Sequence, residues 1–280
     1  MRVAVTRRTP RRAVRVASRA ARASFAIFAA IGDARIERLH SRRARAERCR
    51  RLLAEVADVH DLHIAIEGAL PTTASVIASN HVSYLDPIAI GGRLECTTLA
   101  KREVASWPVI GQAAGLMGAI FVDRSSTHSR AAALLAAIRA LREGVSVLNF
   151  PEGTTTDGER VMPFAAGIFG AARIAGVPVV PLAIRYGTPK AAWTGGETFL
   201  PHYARTAARA TLSVHLRFGE AIDSHAHVSA VALAGAARRA VIDLLRFEPE
   251  DPHEPRIRAV VPASRPDPVL PAAERQLHVA

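Results

Sequence analysis

The sequence predicts an α/β fold, a mixed and mostly parallel sheet flanked by helices, preceded by a basic N-terminal helical arm. Three observations carry that expectation. Short apolar runs alternate with amphipathic helical runs through the body of the 280-residue chain. The positive charge is concentrated at the front. A buried-strand pattern runs directly into a polar turn holding a histidine and an aspartate, at the kind of strand end where α/β folds place ligands.

In chain order, the first element is the arm. Residues 1–51 hold 16 Arg against Asp33, Glu37 and Glu47, whereas the rest of the chain carries 21 basic and 22 acidic groups, so the net charge of +12 belongs to the arm. Its apolar patch from Phe25 to Ile31 is far short of the ~20 residues needed to cross a bilayer. As a signal peptide it is also poor, because the basic region is long and Arg35 and Arg38 follow at once. An interfacial helix fits better, with arginines toward anionic headgroups and Phe25 and Phe28 dipping below them. Nucleic-acid binding is the rival reading of an Arg-rich arm, but no aromatic-basic interleaving or recognised motif supports it. A merely solvated segment is the third.

Strands are expected over His63 to Leu70, Ala74 to Ala78, Thr97 to Ala100, Ala119 to Val122, Val145 to Phe150, Val177 to Ile184 and Leu212 to Phe218. The clearest helices are Ser129 to Arg142, Phe164 to Ala175 and Val228 to Leu245. After about Phe247 the sequence becomes proline-rich. The expected organisation is therefore an arm over residues 1–62 at a membrane surface, a folded domain over 63–247 and a flexible tail over 248–280. Cys49 and Cys96 lack metal-ligand spacing and form no disulfide framework, which fits a reducing, intracellular location. No metal site is expected.

The most informative segment is Asn80-His81-Val82-Ser83-Tyr84-Leu85-Asp86-Pro87. On a regular helix, at about 100° per residue, His81 and Asp86 would point roughly 140° apart. Pro87 disfavours helical geometry at Asp86 and itself suits a helix start, so the segment reads as a strand-to-helix turn. A histidine with its own carboxylate partner is a ready general base. The plainer alternative is that Asp86 is an N-cap and His81 is structural; Ser83 is expected to make a local hydroxyl-to-backbone bond.

Three further clusters fall at strand ends or in loops: Lys101-Arg102-Glu103 before Trp107-Pro108-Val109-Ile110-Gly111; Gly118-Ala119-Ile120-Phe121-Val122-Asp123-Arg124; and Phe150-Pro151-Glu152-Gly153-Thr154-Thr155-Thr156. Each has a plain explanation as a solvated loop, a surface ion pair or a turn. In this order, with Val177-Pro178-Val179-Val180-Pro181 downstream, they are similar to the motif series of the glycerolipid acyltransferases typified by bacterial 1-acyl-sn-glycerol-3-phosphate acyltransferase, within the lysophospholipid acyltransferase superfamily. The resemblance covers about residues 65 to 220.

That resemblance implies a glycerol-3-phosphate acyltransferase-like fold and a peripheral enzyme on the cytoplasmic face of the cell membrane. It implies transfer of a fatty acyl group from acyl-CoA or acyl-carrier protein to a lysolipid hydroxyl, without cofactor. His81 would take the proton of the attacking hydroxyl and Asp86 would orient the imidazole. Arg124, Glu152, Gly153, Thr154 and Lys101 would bind the acceptor, Arg124 through its phosphate. No Gly-x-Ser-x-Gly elbow is present, which favours direct transfer over an acyl-enzyme. The default acceptor is 1-acyl-sn-glycerol 3-phosphate. Family members acting on it commonly carry Arg after Glu-Gly-Thr and Lys after the downstream Pro-Phe, where this chain has Thr155 and Ala165. Thr154-Thr155-Thr156-Asp157-Gly158 resembles instead the loop of enzymes that acylate lyso-ornithine lipid, the alternative acceptor. A non-catalytic membrane- or nucleic-acid-binding protein is the alternative of another class.

Overall fold

Strand β2, Val76–Ser79, is buried along its whole length and fixes the architecture, because a strand apolar on both sides needs cover on both. The computed structural model describes residues 9–36, 40–194 and 196–246; residues 1–8 and the tail expected over 248–280 lie outside them. Seven strands form one sheet: β1 Leu62–Glu67, β2, β3 Cys96–Lys101, β4 Ile120–Val122, β5 Ser146–Asn149, β6 Val179–Tyr186 and β7 Leu212–Phe218. Their spatial order is β1-β7-β6-β2-β5-β3-β4, parallel at every junction except the antiparallel β6–β7 pair. This is the mixed, mostly parallel sheet the sequence predicts.

Alternate residues feed two hydrophobic layers. Val76, Ala78, Val147 and Val179 pack with Ala137 and Leu141 of α5 (Thr127–Arg142), Phe169 of α6 (Gly167–Ala175) and Leu233 of α8 (Ala230–Arg246). On the opposite face Ile77, Leu148, Val180 and Leu182 pack with Leu85 and with Ala89 and Ile90 of α3 (Asp86–Gly91). The helix after β2 and the helix after β5 thus cover opposite faces. Between two such neighbouring strands a crevice opens at their carboxyl ends.

Local chemistry explains where the boundaries depart from expectation. β1 stops at Glu67 because Gly68 adopts φ +81°, and a Cβ there would meet the Phe218 carbonyl oxygen at 2.1 Å. α5 starts two residues early because the Ser126 hydroxyl caps it by accepting from the Ser129 N–H at 3.2 Å. α6 starts three residues late, since the Ala165 N–H is taken by the Pro151 carbonyl at 3.0 Å. β6 runs on to Tyr186, two residues beyond the expected end.

The basic arm folds as α1 (Thr9–Ile36) and α2 (Arg42–Val59), and several of its arginines are spent on the body. Small residues let α1 approach closely: Ala26, Ala30 and Ala34 pack on Leu52 and Val56 of α2 and on Met117. Arg19 is buried and donates through Nη1 to the carbonyls of Ala207 (3.1 Å) and Arg209 (2.6 Å) and through Nη2 to that of Ala210 (2.9 Å). Arg15 donates to the Ala208 carbonyl at 3.0 Å. The Ala207 and Ala208 carbonyls are among those a helix leaves unsatisfied, here at the end of α7 (Phe199–Ala207), the other two follow directly after it, and two cations there also suit its dipole. Arg48 pairs with Asp33 and Arg42 with Glu143. The expectation that the arm's arginines face headgroups therefore does not hold for these four; Arg11, Arg12, Arg22 and Arg35 are exposed.

Removing the buried guanidinium leaves three carbonyls without their donor. Arg19→Met is expected to lower the free energy of unfolding by about 2–3 kcal/mol, measured by urea denaturation. Arg22→Met, on the exposed side, is expected to stay within about 0.5 kcal/mol of the parent.

Candidate active site

The sheet register sets the neighbours of His81. Ala78 of β2 pairs with Asn149 of β5, so the chain leaving β2 runs beside the chain leaving β5 and brings His81 next to Glu152 three residues later. The His81 N–H donates to Glu152 Oε1 at 2.7 Å, and the Thr156 N–H returns a bond to the His81 carbonyl at 2.8 Å. The imidazole lies on the Phe150 ring, with centroids 4.1 Å apart and planes 16° from parallel. On the other side of β2, Asn80 clamps β6 by accepting from the Ile184 N–H (2.8 Å) and donating to its carbonyl (3.0 Å).

His81 and Asp86 meet as the turn predicts. Nδ1 of His81 is 2.7 Å from Asp86 Oδ2. That oxygen also accepts from the N–H groups of Val82 (2.6 Å) and Ser83 (3.0 Å), so the carboxylate is ionised and Nδ1 is the donor. Nε2 then carries the lone pair, and no partner among the described residues occupies it. Asp86 is 0% exposed while the His81 side chain is 21% exposed, so the imidazole reaches the surface and the carboxylate bonded to it does not. Asp86 opens α3 instead of capping it. The N-cap is Leu85, and the Asp86 carboxylate turns back into the loop.

A fourth donor comes from across the sheet. The Tyr186 hydroxyl, at the end of β6, donates to Asp86 Oδ1 at 2.6 Å. Burial, and then the charge of Asp86, raise the Tyr186 pKa well above the ordinary phenol value, so it remains a neutral donor. Ser83 departs from expectation: its hydroxyl meets Nε2 of His202 on α7 at 3.3 Å and makes no local backbone bond. His202 is buried, and burial together with the Arg205 guanidinium pushes its pKa down. Its Nδ1 lies 2.6 Å from the Arg205 guanidinium and 3.3 Å from Glu197 Oε2, which leaves Nε2 facing the Ser83 hydroxyl. Tyr84, also in the turn, bonds Thr206 of α7 at 2.9 Å.

The remaining predicted residues divide into two groups. Glu152 is half-buried, and both its oxygens are occupied, Oε2 by the Met162 N–H at 2.7 Å. Burial raises its pKa above the usual carboxylate value, against the pull of those two N–H donors. Gly153, at φ +79°, sits against Arg124, whose Nη1 would lie 3.2 Å from a Cβ at that position. Any side chain at Gly153 would crowd the guanidinium. The Thr154 hydroxyl is exposed beside them. The Thr155 hydroxyl is tied to the Trp193 carbonyl, and the Trp193 N–H to the Val82 carbonyl at 2.9 Å. Lys101, by contrast, is paired with Glu103 at 2.9 Å, and no contact among the described residues joins it to His81, Glu152 or Arg124.

The arrangement brings together an imidazole with an outward Nε2, a buried carboxylate bonded to it and one nearby guanidinium. Neither thiol competes as a nucleophile: burial raises the Cys49 pKa to about 11 and pushes that of Cys96 higher still. Among the described residues no group of three or more His, Cys, Asp or Glu is placed to hold a metal ion. Tyr186 and His202 are parts of the site that the sequence did not mark, and Phe150, though it heads the third cluster, was not expected to stack on His81. Tyr186 lay just past an expected strand end, and His202 lies on a helix that was not anticipated.

Similarity to known proteins bears on the family and the fold. Residues 59–185 match the family model described as Acyltransferase. The chain is 34% identical over 173 residues to the lyso-ornithine lipid O-acyltransferase of Rhizobium meliloti (strain 1021), covering 55% of this chain and 59% of that protein. It is 32% identical over 189 residues to the lyso-ornithine lipid O-acyltransferase of Brucella abortus (strain 2308), covering 61% and 71%. The crystal structure of the 1-acyl-sn-glycerophosphate acyltransferase from Thermotoga maritima has the same fold, with a TM-score of 0.65 at 22% identity over 87% of this chain and 100% of that one.

Proposed function

The chain belongs to this acyltransferase family, and we propose that it moves a fatty acyl group from a thioester donor, acyl-CoA or acyl-carrier protein, to the hydroxyl of a lysolipid. The observation that carries the reading is the His81–Asp86 pair, with Nδ1 held by a buried carboxylate and Nε2 facing outward. Nε2 takes the proton of the acceptor hydroxyl as its oxygen attacks the thioester carbonyl. The carbon–sulfur bond then breaks, and the imidazolium returns the proton to the leaving thiolate. Base action of this kind contributes ~10² to 10⁴ in rate. Arg124, beside Gly153, binds a negative group of the acceptor; Glu152 acts by holding His81 and Met162 in place.

Two acceptors fit: 1-acyl-sn-glycerol 3-phosphate, which has the phosphate Arg124 suits, and lyso-ornithine lipid. The second is favoured by Thr155. Its hydroxyl is bound to the Trp193 carbonyl, so that position offers no cation to a phosphate, and the relatives from Rhizobium meliloti and Brucella abortus bear lyso-ornithine lipid in their names. A membrane surface as partner is supported by α1, where Phe25 is 75% and Phe28 57% exposed, with Val14 and Ile36 also exposed. Exposed Arg11, Arg12, Arg22 and Arg35 accompany them. No helix among the described residues is long and apolar enough to cross a membrane. The helix would lie on the cytoplasmic face as a peripheral contact.

Purified protein incubated with labelled acyl-CoA or acyl-carrier protein and a panel of lysolipids is expected to release free thiol and form acylated lipid. Lyso-ornithine lipid should be preferred over 1-acyl-sn-glycerol 3-phosphate by about tenfold in kcat/KM, the equivalent of one strong contact. The reverse preference would remove the acceptor assignment, and no thiol release with any lysolipid would leave a binding protein. For the membrane contact, replacing Phe25 and Phe28 by Ser is expected to weaken binding to anionic vesicles by roughly tenfold or more. Unchanged binding, or preferential capture of nucleic acid, would contradict it.

A further inference from the structure

Asp86 is the one carboxylate in the site with no exposed surface, and its two oxygens are served unequally. Oδ2 is shared by His81 Nδ1 and two backbone N–H groups, whereas Oδ1 has a single hydrogen-bond partner, the Tyr186 hydroxyl at 2.6 Å. Tyr186 is itself buried, at 9% exposed, so both partners of that bond are largely shielded from solvent. Its position is also fixed, because β6 is registered against β2 at Ser79–Leu182 and clamped by Asn80 at Ile184, two residues before the tyrosine.

We infer that Tyr186 is a positioning residue of the reaction, which holds the Asp86 carboxylate and, by drawing on its charge, sets how firmly that carboxylate holds the His81 imidazole. The inference rests on the acyl-transfer reading for its kinetic consequences only. A hydroxyl donating to Oδ1 withdraws electron density that Oδ2 would otherwise offer to Nδ1–H. Without it, Asp86 becomes a stronger acceptor, the protonated imidazole is better stabilised, and the base is less available at a given pH. The other charged or titratable groups around this pair are Glu152 beside the His81 N–H, Tyr84 in the turn itself, His202 from α7, and Arg124 beyond Gly153. None of them contacts Oδ1.

Two variants bracket the effect. In Tyr186→Phe the acidic limb of the kcat/KM profile for acyl transfer should move to higher pH through the charge of Asp86, and the plateau rate should fall about tenfold because a carboxylate released on one side no longer fixes the direction of the imidazole. Replacing Tyr186 with 3-fluorotyrosine, a stronger donor of nearly the same shape, should move the limb to lower pH. The low-field proton resonance of His81 Nδ1–H, identified by its loss in His81→Gln, reads the same interaction without any turnover. It should move downfield in Tyr186→Phe and upfield in the fluorotyrosine protein. Should Tyr186→Phe fail to fold, the fluorotyrosine protein still decides the matter. Resonance and limb unchanged from wild type, with only thermal stability altered, would overturn the proposal. Resonances that move as expected in a protein that acylates no lysolipid would keep the role of Tyr186 and remove the acyl-transfer reading instead.

Discussion

A carboxylate taken wholly out of water must be met by donors, and Asp86 is met by four. Desolvating such a group costs several kcal/mol after relaxation, and only close, well-directed partners offset it. Here they come from two places in the chain: the turn, through the imidazole of His81 and the N–H groups of Val82 and Ser83, and β6, through the hydroxyl of Tyr186. The carboxylate can stay charged only if the turn keeps one shape and β6 keeps its register against β2. Buried charge thereby becomes precision in the direction of Nε2.

The layers around the turn extend this requirement outward. Phe150 and Glu152, leaving β5, hold the ring face and the backbone of His81. α7 holds Ser83 through His202 and Tyr84 through Thr206. The end of α7 is held in turn by Arg15 and Arg19 of the arm, nearly 200 residues away in sequence. The helix that offers Phe25 and Phe28 to its surroundings therefore braces the helix behind the active turn. The exposed face of α1 and the geometry at His81 are joined by one continuous set of contacts.

Much of this was legible in the sequence because it is local. Five-residue spacing and Pro87 force a strand-to-helix turn at His81, and apolar runs with turn residues mark all seven strands. The order of motifs identifies Arg124 and Gly153, which the fold brings into contact. What escaped notice is non-local or disguised. Tyr186 is 100 residues from Asp86, and only the β2–β6 pairing joins them. α7 was hidden by Pro201, which suits the first turn of a helix but reads as a breaker. Lys101 enters the candidate set through the order of motifs, and in the fold it pairs with Glu103 on the exposed surface. Arg19 looked like one more surface arginine in a basic arm, since burial against the end of another helix leaves no mark in local composition.

The account stands most directly on the charge of Asp86. Asp86→Asn keeps the size and shape of the side chain but turns one acceptor oxygen into a donor and removes the charge that steadies the imidazolium. Acyl transfer by the folded Asp86→Asn protein, measured as thiol release under saturating donor and acceptor, is predicted to fall by ~10² to 10⁴. A folded Asp86→Asn protein that turns over within about threefold of the parent, less than the loss of one strong hydrogen bond would cause, would contradict it.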